Sequence, residues 1–175
     1  MRVFIAYRLD EQTKSKIHFI QEQVKSIYLN GRFKQPKNMH MTLKFIGEVT
    51  MDQYDRLISE IDRTIYEYEV LNIELNQLGF FGNSTKKHTL WIGCPVHPSM
   101  IQLSETMTRC AISAGISMNH TPFVPHITLA QHGTLLSELP KIETINVRFD
   151  QVCIFISSRI DGELIYQPLK CWELK

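Results

Sequence analysis

Two histidines sit in the same local setting, His40 in Met39-His40-Met41-Thr42-Leu43 and His126 in Pro125-His126-Ile127-Thr128-Leu129. Successive side chains of a strand point to opposite faces, so His40 and Thr42 share one face, and His126 and Thr128 share another. Met41, Leu43 and Phe45, with Ile127 and Leu129, take the reverse faces, which must be covered by helices. Two such strands brought together would converge two imidazoles and two hydroxyls on one cleft. That quartet suits phosphodiester chemistry. In-line attack at phosphorus needs a base on one side and an acid on the other. Histidine can serve as either near neutral pH, and threonine hydroxyls can donate to the non-bridging oxygens as charge builds.

A single His-x-Thr is ordinary strand composition, so the duplication carries the signal. The two histidines lie 86 residues apart (126 − 40) in a chain of 175. Each follows a strand, a helix and an extended segment. The main rival is a metal site at His120, His126 and His132, but no acidic ligand cluster or C-x-x-C accompanies them. The expectation is therefore no metal and no cofactor.

The elements that must position the quartet are legible. Arg2 to Leu9 reads as a strand, and Asp10 as the N-cap of a helix striped by Ile17, Ile20, Val24, Ile27 and Tyr28 and ended by Asn30-Gly31. Thr50 and Gln53 form a capping box before Tyr54, Leu57, Ile58, Ile61 and Ile65. Two strands, Ile73 to Leu78 and Thr89 to Cys94, flank a turn over Gly79–Ser84. A third helix follows Pro98 and stops at Gly115. Val152 to Ile160, Asp161-Gly162 and Glu163 to Leu169 read as a hairpin. The expected fold is α+β, in layers with mostly antiparallel sheet, and built from a duplicated unit. It would be one domain over residues 1–175, each half contributing one His-x-Thr.

Composition sets the boundaries. The chain is 43% hydrophobic, with 19 Lys+Arg against 18 Asp+Glu and a net charge of +1. That can fill a core, and it argues against a protein that wraps long nucleic acid, which needs a strongly basic face. It permits an RNA end gripped by a few local charges. There is no signal-peptide core or membrane-length apolar run. Cys94, Cys110, Cys153 and Cys171 are scattered and read as reduced thiols in a cytoplasmic protein.

The sequence resembles the 2H phosphoesterase superfamily, and more narrowly the RNA 2′,3′-cyclic phosphodiesterases, also called 2′-5′ RNA ligases. The matching stretches are Arg2–Ala6, Asn38–Val49, Pro122–Ala130, and Ser157-Ser158 through Tyr166–Trp172. The resemblance implies a bilobal, duplicated α+β fold of two mostly antiparallel sheets backed by helices around a central cleft. With it comes metal-independent opening of a 2′,3′-cyclic phosphate to a 2′-phosphate. It implies His40 as proton donor to the departing 3′-oxygen, His126 as proton acceptor from water, and Thr42 and Thr128 as phosphate holders. Many members carry an arginine where this chain has Gln131. Losing that cation should weaken the grip on further phosphates or shift the job elsewhere, with Lys44, nominally on the face of His40, as one candidate replacement. Phe123 and the Phe80-Phe81 turn could stack bases, against the alternative of core packing. The partners implied are RNA ends or oligonucleotides bearing a cyclic phosphate, with no membrane and no protein partner, the chain acting as a monomer. The competing functions are 2′-5′ RNA ligation, a nucleotide cyclic phosphodiesterase on the same site, and a catalytically weak RNA-end binding module.

Overall fold

The computed structural model describes residues 1–83 and 87–175. In chain order the elements are β1 (Arg2–Tyr7), α1 (Glu11–Val24), β2 (Tyr28–Leu29), β3 (Arg32–Phe33), β4 (Met41–Glu48), α2 (Met51–Thr64), β5 (Leu71–Leu75), β6 (Gln77–Phe81) and β7 (His88–Gly93). There follow α3 (Pro98–Ser113), β8 (His126–Leu135), β9 (Ile145–Phe149), β10 (Gln151–Ile160) and β11 (Glu163–Glu173). The fold is α+β, and the described strand pairs are antiparallel.

Each helix starts where its sequence says it should. The Asp10 carboxylate accepts from the Thr13 N–H at 2.6 Å. At α2 the Thr50 hydroxyl accepts from the Gln53 N–H, and Oε1 of Gln53 accepts from the Thr50 N–H, both at 3.1 Å. Such a cap is worth about 1 kcal/mol. Helix α1 ends at Val24, earlier than Asn30-Gly31, because a 3-10 turn follows and Tyr28–Leu29 then pairs with β8 as a short strand. The apolar stripes of the helices are buried, with Ile17, Leu57, Ile61 and Met107 fully covered. Helix α3 lies against α2 and β4, and α1 against β9.

The strands form one continuous sheet in the order β11-β10-β1-β4-β8-β7-β6, with β2 and β3 also on β8, and a separate pair β5-β9. The two expected sheets are thus two sections, β11 to β4 and β8 to β6, meeting at one pair, Met41 opposite Ile127. The stretch expected as one strand, Ile73 to Leu78, is divided between β5 and β6, which lie in different sheets. The turn expected over Gly79–Ser84 begins later, because Gly79, Phe80 and Phe81 pair with β7; Ser84 lies outside the described residues.

One expectation is overturned: Cys153 and Cys171 are joined by a disulfide, with Cα atoms 4.0 Å apart, while Cys94 and Cys110 are free and buried. The register of the terminal hairpin explains it. Counting back from Ile160 opposite Glu163 would set Cys153 against Lys170. A bulge between Ile154 and Phe155, where Pro168 lacks an N–H to donate, shifts the register by one residue and sets the two cysteines face to face. The cysteine count therefore carries no information about compartment. No helix among the described residues is long and apolar enough to cross a membrane.

Candidate active site

The pairing of β4 with β8 builds the site. Met41 stands opposite Ile127 in an antiparallel pair, and continuing that register would place His40, just before β4, across from Thr128, and Thr42 across from His126. The four side chains face away from the apolar positions Met41 and Ile127, which are fully buried. His40, Thr42 and Thr128 line a cleft of about 500 Å³. His126 stands at the end of the same row, and its charge, when present, opposes a proton on His40.

Both strands leave regular alternation at the same step. In β4, Ala6 faces Thr42 but Ile5 faces Lys44, so Leu43 and Lys44 occupy one place. In β8, Trp91 faces Thr128 but Leu90 faces Ala130, so Leu129 and Ala130 do the same. Each bulge reverses the faces beyond it. Lys44 and Ala130 therefore turn to the helical side, where both are buried, and Phe45 and Gln131 turn into the cleft.

This corrects three sequence expectations. Phe45 does not stay with Met41 and Leu43 on the helical face but lines the cleft. Lys44 does not share the face of His40. It is 7% exposed, on the opposite face against α3. Phe123 does not reach the cleft either. It packs against the main core and lines the same rear pocket as Lys44. Gln131 does line the cleft, which strict alternation would have denied it. Of the two turn aromatics, Phe81 meets the His126 ring edge-on at 4.8 Å, whereas Phe80 packs on His88.

The two imidazoles are held alike. His40 Nδ1 lies 2.7 Å from the Asn38 carbonyl oxygen, and His126 Nδ1 lies 2.8 Å from that of Val124. A carbonyl only accepts, so each Nδ1 carries its proton and each Nε2 is left to exchange one with a ligand. Asn38 is anchored in turn: its amide donates to the Leu164 carbonyl at 2.8 Å and its Oδ1 accepts from the Tyr166 N–H at 3.2 Å. Phe4 lies 4.6 Å from the His40 ring and Tyr166 stands edge-on at 5.1 Å. On the other side Gly93 pairs with His126, and a Cβ there would sit 2.6 Å from the Pro125 carbonyl oxygen. Glycine is what lets β7 approach this closely.

Burial pushes the His40 imidazolium down to about 4, and the cations Lys34 and Lys14 add to it, against the opposing pull of the Asn38 carbonyl. Burial also lowers His126 from its ordinary value. The cleft's charged lining is all cationic: Arg2, Lys34 and Arg159, with no carboxylate among them. Burial, and secondarily Arg32, hold Lys34 below the usual lysine value. The hydroxyls of Thr42 and Thr128 have no hydrogen-bond partner among the described residues, and Ser157 and Ser158 line the same wall. A cleft of this kind attracts an anion, offers it hydroxyl donors and flanks it with two proton carriers.

Residues 8–91 match the family model described as LigT like phosphoesterase. The whole chain also superposes on the crystal structure of Escherichia coli LigT with a TM-score of 0.83, at 26% identity over 99% of this chain and 96% of that one. Residues 8–91 are thus similar to the LigT-like phosphoesterases, and the whole chain is similar in fold to LigT. These phosphoesterases are a family of the 2H superfamily, in agreement with the resemblance carried by the two His-x-Thr stretches. The chain is 25% identical to the RNA 2′,3′-cyclic phosphodiesterase of Methanothermobacter thermautotrophicus, over 99% of both chains. It is 26% identical to the enzyme of the same name from E. coli K12, over 99% of this chain and 96% of the relative. The E. coli LigT complex with 3′-AMP superposes equally well, at a TM-score of 0.83.

Arg2, Lys34 and Arg159 line the cleft and are the residues that sequence reasoning missed. Arg2 opens one matched stretch and Arg159 follows Ser157-Ser158 of another, but the sequence held no sign that the ends of β1, β3 and β10 meet at one wall. Replacing Lys34 by methionine should lower kcat/KM on a phosphodiester substrate roughly 10- to 100-fold, mostly through KM, the scale of one charge-assisted contact. Lys44→Met should stay within about threefold, because Lys44 faces away. Steady-state kinetics on both variants checks this, and a larger loss at Lys44 would return it to the cleft.

Proposed function

We propose that the chain hydrolyses RNA 2′,3′-cyclic phosphate ends to 2′-phosphate ends without a metal, by acid–base catalysis between His40 and His126. The observation that carries this reading is the symmetric placement of two imidazoles about one strand pair, each with Nδ1 tied to a carbonyl, beside a cleft with only cationic charge. Binding alone does not require an acid and a base. The names of the full-length relatives support the substrate class.

In this scheme the cyclic phosphate sits between the strands, its non-bridging oxygens toward Thr42, Thr128 and the cations. His126 Nε2 takes a proton from water as the water oxygen bonds to phosphorus. The P–O3′ bond breaks, and the protonated His40 Nε2 delivers its proton to that oxygen. The product is a 2′-phosphate with a free 3′-hydroxyl. The strain of the five-membered ring assists the departure, so no Lewis acid is needed. Gln131 can donate a hydrogen bond where related chains place a cation, and Lys34, Arg2 and Arg159 supply the charge. The residues 1–175 are read as one domain whose two halves each bring a His-x-Thr and the bulge that follows it.

The test is an oligonucleotide ending in a 2′,3′-cyclic phosphate, incubated with excess EDTA and analysed for the position of the product phosphate. A 2′-phosphate formed at an undiminished rate is expected. Loss of turnover on chelation would overturn the metal-free scheme. A 3′-phosphate product would overturn the leaving-group assignment.

A further inference from the structure

The face of β4 turned away from the catalytic cleft carries a second cavity, of about 510 Å³, closed by α3 and the segment that leads to β8. Lys44 stands in its wall at 7% exposure. An ammonium group has three protons to place. Among the described residues the Lys44 Nζ reaches only the Asn119 carbonyl oxygen and the Thr121 hydroxyl, both at 3.5 Å, the outer limit of hydrogen bonding. No ion pair among the described residues includes it; Glu105 lines the cavity but does not come within ion-pair distance. Burying a lysine without a counter-charge is costly, and the space beside it is open.

Around that cation the cavity is largely apolar, walled by Ile101, Ile112, Met118 and Phe123, with Arg109 and His120 also in the lining. The volume falls in the range of small-molecule sites, which pair apolar walls with one or two polar anchors. The catalytic cleft differs in kind, being smaller in apolar character and lined by hydroxyls and three cations. We propose that this rear cavity is a second ligand site that takes a small amphipathic monoanion, its carboxylate or sulfonate on Lys44 and its apolar body between α3 and Phe123.

The ligand class can be probed with anilinonaphthalene sulfonate, an aromatic monoanion whose fluorescence rises in apolar surroundings, and with octanoate as competitor. Saturable fluorescence displaced by octanoate is expected for the wild-type chain. Lys44→Met should weaken probe binding at least about tenfold, the scale of one charge-assisted contact. Ile112→Glu should do the same by placing a like charge in the wall, and Ile112 is 57% exposed, so this variant spares the core. Lys34→Met, in the catalytic cleft, should leave probe affinity unchanged. The proposal is overturned if octanoate displaces nothing, if Ile112→Glu binds as wild type does, or if Lys34→Met alone abolishes binding. Circular dichroism checks the fold of Lys44→Met, and where that variant fails to fold the Ile112→Glu result decides. These readouts involve no turnover, so they stand or fall separately from the proposed catalytic activity.

Discussion

Alanine at His40 or at His126 is expected to lower kcat/KM on cyclic-phosphate RNA by roughly 10²- to 10⁴-fold, the usual contribution of a positioned acid or base. The double variant should be little worse than the poorer single one, because acid and base act in one transition state and their losses do not add. The fold should survive. His126 is half-buried at the cleft end, and His40→Gln keeps most of the volume packed against Phe4 and Tyr166 where alanine would leave a gap. The near symmetry of the site also makes it possible to tell acid from base. A substrate with sulfur in place of the 3′-bridging oxygen has a leaving group that needs no proton. It should restore most of the rate to a His40 variant and little to a His126 variant. Equal rescue of both, or a variant within a few-fold of wild type, would remove the assigned roles.

What the sequence made legible was local, and what it hid was register. The caps at Asp10 and Thr50, the helical stripes and the pairing of histidine with threonine on one strand face all depend on neighbours a few residues away. The caps and the stripe positions Ile17, Ile20, Val24, Leu57 and Ile61 stand where they were read, while Ile27 and Tyr28 fall beyond α1 and His40 just before β4. The site's second half depends on bulges. Nothing in Thr42-Leu43-Lys44 says that two residues will share one place opposite β1, yet that shift sends Lys44 to the helices and Phe45 to the cleft. The matching shift in β8 admits Gln131. The disulfide was hidden in the same way, by a one-residue bulge at Pro168. The cations Arg2 in β1, Lys34 just after β3 and Arg159 in β10 are remote in sequence, and the sheet order gathers them. A net charge of +1 is thus reconciled with an anionic substrate: the excess positive charge is local.

The pH dependence of the free enzyme follows from the burial of both histidines. Each imidazolium is disfavoured in the cleft, His40 down to about 4 and His126 to below its ordinary value. In the proposed scheme the productive form carries one proton on the pair, on His40, with His126 neutral. Below the lower apparent pKa both rings are protonated and no base remains. Above the higher one both are neutral and no acid remains. Because both values are depressed, the alkaline limit for kcat/KM should fall below about 6.5, the unperturbed histidine value. From there kcat/KM should drop tenfold per pH unit, or ~100-fold between pH 6.5 and 8.5. A bound phosphodiester brings a negative charge against both rings and favours their protonated forms, so the alkaline limit for kcat should lie higher than that for kcat/KM. Lys34→Met removes one of the cations that oppose protonation of His40, so it should move the kcat/KM limit toward higher pH even while it weakens binding. Rate profiles from pH 4.5 to 9 on wild type and Lys34→Met test both statements. A wild-type kcat/KM that stays level up to pH 8 would mean that neither histidine in the free cleft supplies the proton.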